Sequence, residues 1–180
     1  ALAEGTANDW LPLIMVDGHG FGATMGSTVF ALFAASMTIG RFCGGPIVAR
    51  VGRARVLMVS ALFAAVGLSL ISFVDSQPVA VAAVVLWGLG ASLGFPLALS
   101  AAGDSGPNPA ARVALASTIG YLAFLVGPPT LGLLGEQVGL RAALVVPLAV
   151  VLVGVALAPA AAQRDDEQLT PYEPVADDVR

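Results

Sequence analysis

The sequence predicts an all-α, polytopic transmembrane helical bundle. Of its 180 residues, 57% are hydrophobic and 11% charged, and the mean hydropathy is +0.88. Ordinary soluble domains are about 25% charged, so composition alone points to the membrane class. Four segments, about 25–47, 79–101, 113–134 and 141–162, are long and apolar enough to cross a bilayer as helix; a fifth, about 56–74, is slightly shorter. These runs exceed the length of barrel strands, and a lipid-exposed backbone must satisfy its own hydrogen bonds, as a helix does.

The elements follow in order. Residues 1–16 read as the outer end of a further helix, truncated at its start. The chain opens at Ala1 without methionine or a signal-peptide pattern, so a fragment of something longer is expected. "DGHGFGA" (17–23) is a short Gly-rich turn, in which His19 is expected to be an exposed loop residue without companions for a metal. "ARVGRARV" (49–56) reads as a basic loop, "DSQP" (75–78) as a turn, "GDSGPNPAAR" (103–112) as a breaker cluster and "GEQVGLR" (135–141) as a brief loop. Residues 1–162 thus form a membrane domain, and 163–180 an acidic tail expected to be disordered. That tail sets Arg164 and Arg180 against six acids and holds the whole formal charge of -4.

The chain has eight arginines and no lysine, which with its abundant alanine suggests a GC-rich bacterial gene. Four of the arginines, Arg41, Arg50, Arg53 and Arg55, fall within fifteen residues. Basic residues are retained on the cytoplasmic side of a membrane. With loop 49–56 inside, Arg50, Arg53, Arg55, Arg112, Arg164 and Arg180 all become cytoplasmic; only Arg141 lies outside, and Arg41 lies within a helix. The expected location is the bacterial inner membrane, with the C-terminus cytoplasmic.

Charges inside a membrane are costly and therefore functional candidates. Glu4 and Asn8 are four apart, on one helical face. That face would look into a watery cavity, where a carboxylate binds a solute hydroxyl or carries a proton; the bland alternative is a solvated surface acid. Asp9 and Trp10 read as markers of the membrane boundary. Arg41 would face an anionic solute or pair with an acid in the missing half, or simply snorkel to the interface or serve a structural pair. Gly88, Ser92, Pro96 and Ser100 form an i, i+4 stripe, and Gly90 with Gly94 and Gly40 with Gly44 form small-xxx-small pairs suited to helix packing, or to a flexible gate. Gly127, Pro128 and Pro129 should break their helix. Trp87 and Tyr121 would either stack on a sugar or aromatic solute, or face lipid or pack between helices. Ser117 and Thr118 should bond to helix backbone, and Cys43, the single cysteine, is expected to be a buried structural thiol. No P-loop, zinc cluster or Ser-His pairing is visible, so neither enzyme activity, cofactor nor metal is expected. The apolar spans flanking the basic loop argue against nucleic-acid binding.

"GGPIVARVGRARV" resembles the loop signature of the major facilitator superfamily: glycine, an Asp-Arg pair, then Gly-Arg and further basic residues. Gly45, Arg50, Gly52, Arg53 and Arg55 match it, while Ala49 stands at the Asp position. "AEGTANDW" (3–10) is similar to the seventh helix of a sugar-permease-like branch, "WGLGASLGFPLALSAAGD" (87–104) to the tenth, and "STIGYLAFLVGPPTLGLLGEQVGLR" (117–141) to the eleventh with its following turn. The resemblance implies a twelve-helix secondary transporter with a central site between two six-helix halves and alternating access by rocking. This chain would be the C-terminal half, partnered by the N-terminal half, lipid and a small solute. In the family the basic loop is a conformational latch, here carried by Arg50 and Arg53. Gly127-Pro128 occupies the repeat counterpart of a Gly-Pro motif in antiporters. The leading expectation is proton-coupled transport of a small polar or amphipathic solute; the alternative is a non-transporting sensor or assembly module on the same fold.

Overall fold

The structure, a computed structural model, describes residues 1–104 and 106–161. Every regular element among them is helical. Helix α1 (Leu2–Leu13) continues through a π-helical turn at Ile14–Gly18; α2 is Ala23–Val51, α3 Arg53–Phe73, α4 Gln77–Asp104 and α5 Pro109–Val138. A single turn, α6 (Leu140–Ala143), leads into α7 (Val145–Leu157) and a closing 3₁₀ turn, Ala158–Ala161. Five stretches are long and apolar enough to cross a membrane: α2, α3, α4, α5 and the combined Leu140–Leu157. The acidic tail lies outside the described residues.

The helices outrun their apolar runs. The expected basic loop at 49–56 is helix on both sides of Gly52, the one residue outside them. Hydropathy marks only the length that lipid covers, whereas helical hydrogen bonding continues into polar ends until the backbone must turn. Gly52 makes that turn at φ 91°, ψ 149°, a conformation essentially confined to glycine, and its N–H still bonds Val48 O at 2.9 Å. Gly139 makes the same turn between α5 and α6, at φ 87°, ψ 146°. The expected continuous helix at 141–162 instead has an irregular turn at Leu144 between α6 and α7. Asn108 caps α5, its side chain accepting from Ala111 N, with Pro109 at the first helical position.

Gly127-Pro128-Pro129 does not break its helix: α5 runs unbroken through it. The two prolines free only the carbonyls four residues earlier, those of Phe124 and Leu125. Beside them Trp10 of α1 donates its indole N–H to Pro128 O at 2.8 Å, and Gly132 leaves room for the same ring. Trp10 is therefore an interhelical contact, half-buried between α1 and α5, in place of the expected boundary marker.

α1 touches α2 and α5, α4 touches α2 and α5, and α3 packs between α4 and α7. The tightest seam is α3–α4. A Cβ on Gly90 would stand 2.3 Å from Ala64 N, and one on Gly67 would stand 2.6 Å from Ala83 O. Gly40 and Gly44 bring α2 onto Ser92 and Leu93 of α4 in the same way, whereas Gly94 faces open space and packs against nothing within 4 Å. The core contains Leu11, Phe33, Leu68, Ile71, Val84 and Trp87. The outward faces are also apolar: on α5, Leu115, Ile119, Leu122, Leu125 and Leu133 are exposed. Cys43, expected to be buried, is exposed on α2. A helix long and apolar enough to cross a membrane has no need to bury an apolar thiol within its own bundle.

Candidate functional site

Glu4 and Arg41 form an ion pair between α1 and α2, Arg41 Nη2 donating to Glu4 Oε1 at 2.9 Å. At 1.5 Å per helical residue, Arg41 lies about 27 Å from the start of α2 and about 15 Å from its end, so the pair is well inside the bundle's length. Arg41 Nε also donates to Ser92 O at 3.3 Å, and Met37 Sδ lies 3.8 Å from Nη2. Gly40, against Ser92, permits this approach of α2 to α4. The arrangement is lopsided: Glu4 keeps 16% of its side-chain surface exposed and Arg41 47%. Asn8, one turn along α1, is exposed. Arg41 thus has a partner in this chain and does not merely snorkel.

Tyr121 is exposed on α5, with its ring edge-on to Phe95 at 6.0 Å. Trp87 is fully buried, edge-on to Phe33 at 5.4 Å, and its indole N–H has no hydrogen-bond partner among the described residues. In this conformation Trp87 packs between helices and offers no face to a solute. Thr118 donates to Ala114 O, as helix backbone bonding requires.

At one end of the bundle, Arg53 is buried and donates to Asp104 and to Ser100 Oγ, tying α3 to α4. Arg50 and Arg55 are exposed, and Gly45 faces open space. Of the three signature arginines, Arg53 is tied to the end of α4, while Arg50 and Arg55 are exposed.

The opposite end holds a cluster that sequence reasoning missed. Arg141 donates to Gly18 O (2.9 Å), Ile71 O (3.2 Å), Val74 O (3.0 Å) and Asp75 Oδ1 (3.1 Å). It thereby ties α6 to the π-helical turn and to the end of α3. His19, expected to be exposed, is buried: its Nε2 pairs with Ile71 O at 3.1 Å, and Gln77 donates to the His19 carbonyl. The reason is the fold-back of the π-helical turn onto α3, which no local pattern announces. Burial and the nearby Arg141 charge push the His19 pKa down, against smaller opposing effects of Ile71 O and Asp75. No group of three metal-ligating side chains occurs among the described residues.

Helices with apolar outward faces, joined by ion pairs at both ends and between them, define a polytopic helical membrane protein. The chain belongs to the Major Facilitator Superfamily, whose profile matches residues 1–177. It is 35% identical over 143 residues to an uncharacterized MFS-type transporter of Yersinia pestis, an alignment covering 79% of this chain and 37% of that protein. It is 35% identical over 161 residues to an uncharacterized transporter of Sinorhizobium fredii, covering 84% and 43%. The membrane protein MosC of Rhizobium meliloti is 29% identical over 158 residues, covering 87% and 38%. The chain thus spans about two fifths of the length of these relatives. No solved structure shows a significant match.

Proposed function

We propose that the chain is the C-terminal six-helix half of a proton-coupled secondary transporter, moving a small polar or amphipathic solute across the bacterial inner membrane by alternating access. The carrying observation is the Glu4–Arg41 pair, because opposite charges within membrane spans mark solute or proton pathways. Family membership and relatives named as transporters support transport. Their greater length supports a missing N-terminal half as partner. The superfamily's transporters are not enzymes, and the chain is read as a carrier without catalysis.

The orientation follows from arginine placement: the Gly52 joint and the C-terminus are cytoplasmic, the Arg141 cluster external. Arg53–Asp104 is then the cytoplasmic latch, holding in one conformation and releasing in the other. Glu4 carries the proton, with Asn8 and Tyr121 on the solute path.

The test is made in vesicles containing the full-length protein. Glu4→Gln should reduce proton-coupled uptake while leaving membrane insertion intact; undiminished coupling would remove Glu4 from the pathway. Arg53→Ala should shift the inward/outward balance seen by cysteine accessibility more than Arg50→Ala does.

A further inference from the structure

We propose that the acids Asp165, Asp166 and Glu167 dock on the exposed guanidiniums of Arg50 and Arg55, closing over the Gly52 joint between α2 and α3. This goes beyond the transport reading and holds whichever side of the membrane that end faces. The argument starts from where the chain leads. Arg141 of α6 bonds Ile71 O and Val74 O at the end of α3. From there α7 and the closing 3₁₀ turn run back along α3 and pack on it. At about 1.5 Å per α-helical residue and about 2.0 Å per 3₁₀ residue, residues 141–161 and residues 53–74 each cover about 32 Å. Ala161 therefore comes level with the first turn of α3, and Ala158, three residues earlier, is buried.

Charge and reach name the partner. Arg50 lies in the last turn of α2 and Arg55 in the first turn of α3. Both are exposed, and neither has an ion-pair partner among the described residues. Arg53, between them, is engaged with Asp104. Two uncompensated positive charges thus stand at one joint. The run "RDDE" at 164–167 carries a net charge of -2. Glu167 is six residues beyond Ala161, a reach of up to about 20 Å. That is enough to pass from α7 across α3, since packed helix axes lie about 8–10 Å apart. An isolated exposed pair is weak, but so short a tether holds the acids at an effective concentration of about millimolar. Anionic phospholipid headgroups also seek a basic end, yet they must be recruited from the bilayer, whereas the acids are attached to the turn that packs on α3. Docked there, the acids bridge the two helices that meet at Gly52 and shield the joint from such headgroups. Arg112 is exposed too, but it opens α5, which packs on α4; it serves as the control.

The test measures a distance in the full-length protein. Spin labels are placed at Val51→Cys, exposed beside the joint, and at Gln168→Cys, just past the acids, with Cys43 and any other cysteine replaced by serine. In phosphatidylcholine bilayers at low salt, pulsed electron spin resonance should show a dominant, narrow population at short distance. At about 1 M salt, where charges act over only about 3 Å, that population should shrink. Arg50→Gln/Arg55→Gln and, separately, Asp165→Asn/Asp166→Asn/Glu167→Gln should each cut the docked-to-undocked ratio about five- to ten-fold, the size of two weak pairs lost together. Arg112→Gln should leave the ratio unchanged. The exchanged variant, Arg50→Glu/Arg55→Glu with Asp165→Lys/Asp166→Lys/Glu167→Lys, should restore the short distance, which a variant merely damaged in its fold cannot do. Equal ratios in the labelled parent and Arg50→Gln/Arg55→Gln, indifference to salt, or no recovery in the exchanged variant would each overturn the proposal. So would an equal loss in Arg112→Gln, which would replace a defined dock by a general field. Bilayers containing phosphatidylglycerol should leave the short distance in place; its loss there would make lipid headgroups the partner of the arginines and overturn the proposal as well.

Discussion

Arg53 opens α3 and Asp104 closes α4, and their side chains meet across the antiparallel pair. Each charge alone sits at the disfavoured end of its own helix: a cation at an N-terminus, an anion at a C-terminus. Packed together, each faces the opposite end of the neighbouring helix and the opposite charge. Arg53→Gln should therefore lower stability by about 1–3 kcal/mol, since it leaves the carboxylate beside its own helix's carbonyl end. The exchanged pair, Arg53→Asp with Asp104→Arg, suits both helix dipoles and should recover much of that loss. A double-mutant cycle of thermal unfolding in detergent checks this, and strictly additive losses would show that the two residues do not couple.

Gly90 and Gly94 look alike in sequence but not in the fold. Gly90→Ala places a methyl against Ala64 N and Ser60 O, rigid backbone that must move. It should cost about 1–3 kcal/mol by forcing α3 and α4 apart. Gly94→Ala meets nothing within 4 Å and should be neutral or slightly stabilising. Unfolding midpoints of the two variants, measured side by side, decide whether the seam is where the structure puts it; equal effects would contradict it.

That contrast shows what a sequence of this kind can carry. The helices are legible because apolar length is a local property, and the basic signature 45–55 is legible because its charges stand between apolar runs. The ends are not: polar residues such as Arg53 and Asp104 continue a helix as readily as they leave one. Glu4 and Arg41 can each be singled out as charges within spans, but the sequence points Arg41 to an acid in the missing half and not to Glu4. Their meeting depends on how α1 lies against α2, with 37 residues between them. His19 hides the most, since its burial comes from Ile71 and Arg141, far along the chain.

His19 makes the Arg141 cluster sensitive to acid. Its Nε2 is engaged with Ile71 O, while Nδ1 is buried with no partner among the described residues. A second ring proton would be buried beside Arg141. The folded-state pKa is lowered, so the unfolded chain binds the proton more tightly, and the stabilisation is fully present above the ordinary histidine value of about 6.5. It begins to fade as pH falls below that value and is gone once pH has passed the lowered folded value. Wild type should thus lose thermal stability on acidification below about pH 6.5, and His19→Gln should flatten that part of the profile. Superimposable profiles would show that His19 does not carry the dependence.

Arg141 joins three parts of the chain with one side chain, accepting no substitute of the same charge. Its Nε and both terminal nitrogens reach Ile71 O, Gly18 O, Asp75 and Val74 O in different directions. A lysine has one ammonium on a flexible stem and cannot hold that spread. Arg141→Lys should therefore keep the charge yet lose most of the ties, costing about 2–3 kcal/mol from the orphaned carbonyls. The loss should be local: amide hydrogen exchange should quicken at 17–20 and 71–76 and stay unchanged at the Arg53–Asp104 end. Exchange quickening at both ends alike would mean that the cluster supports the whole bundle, and no change at either would mean that lysine, with water, replaces the arginine.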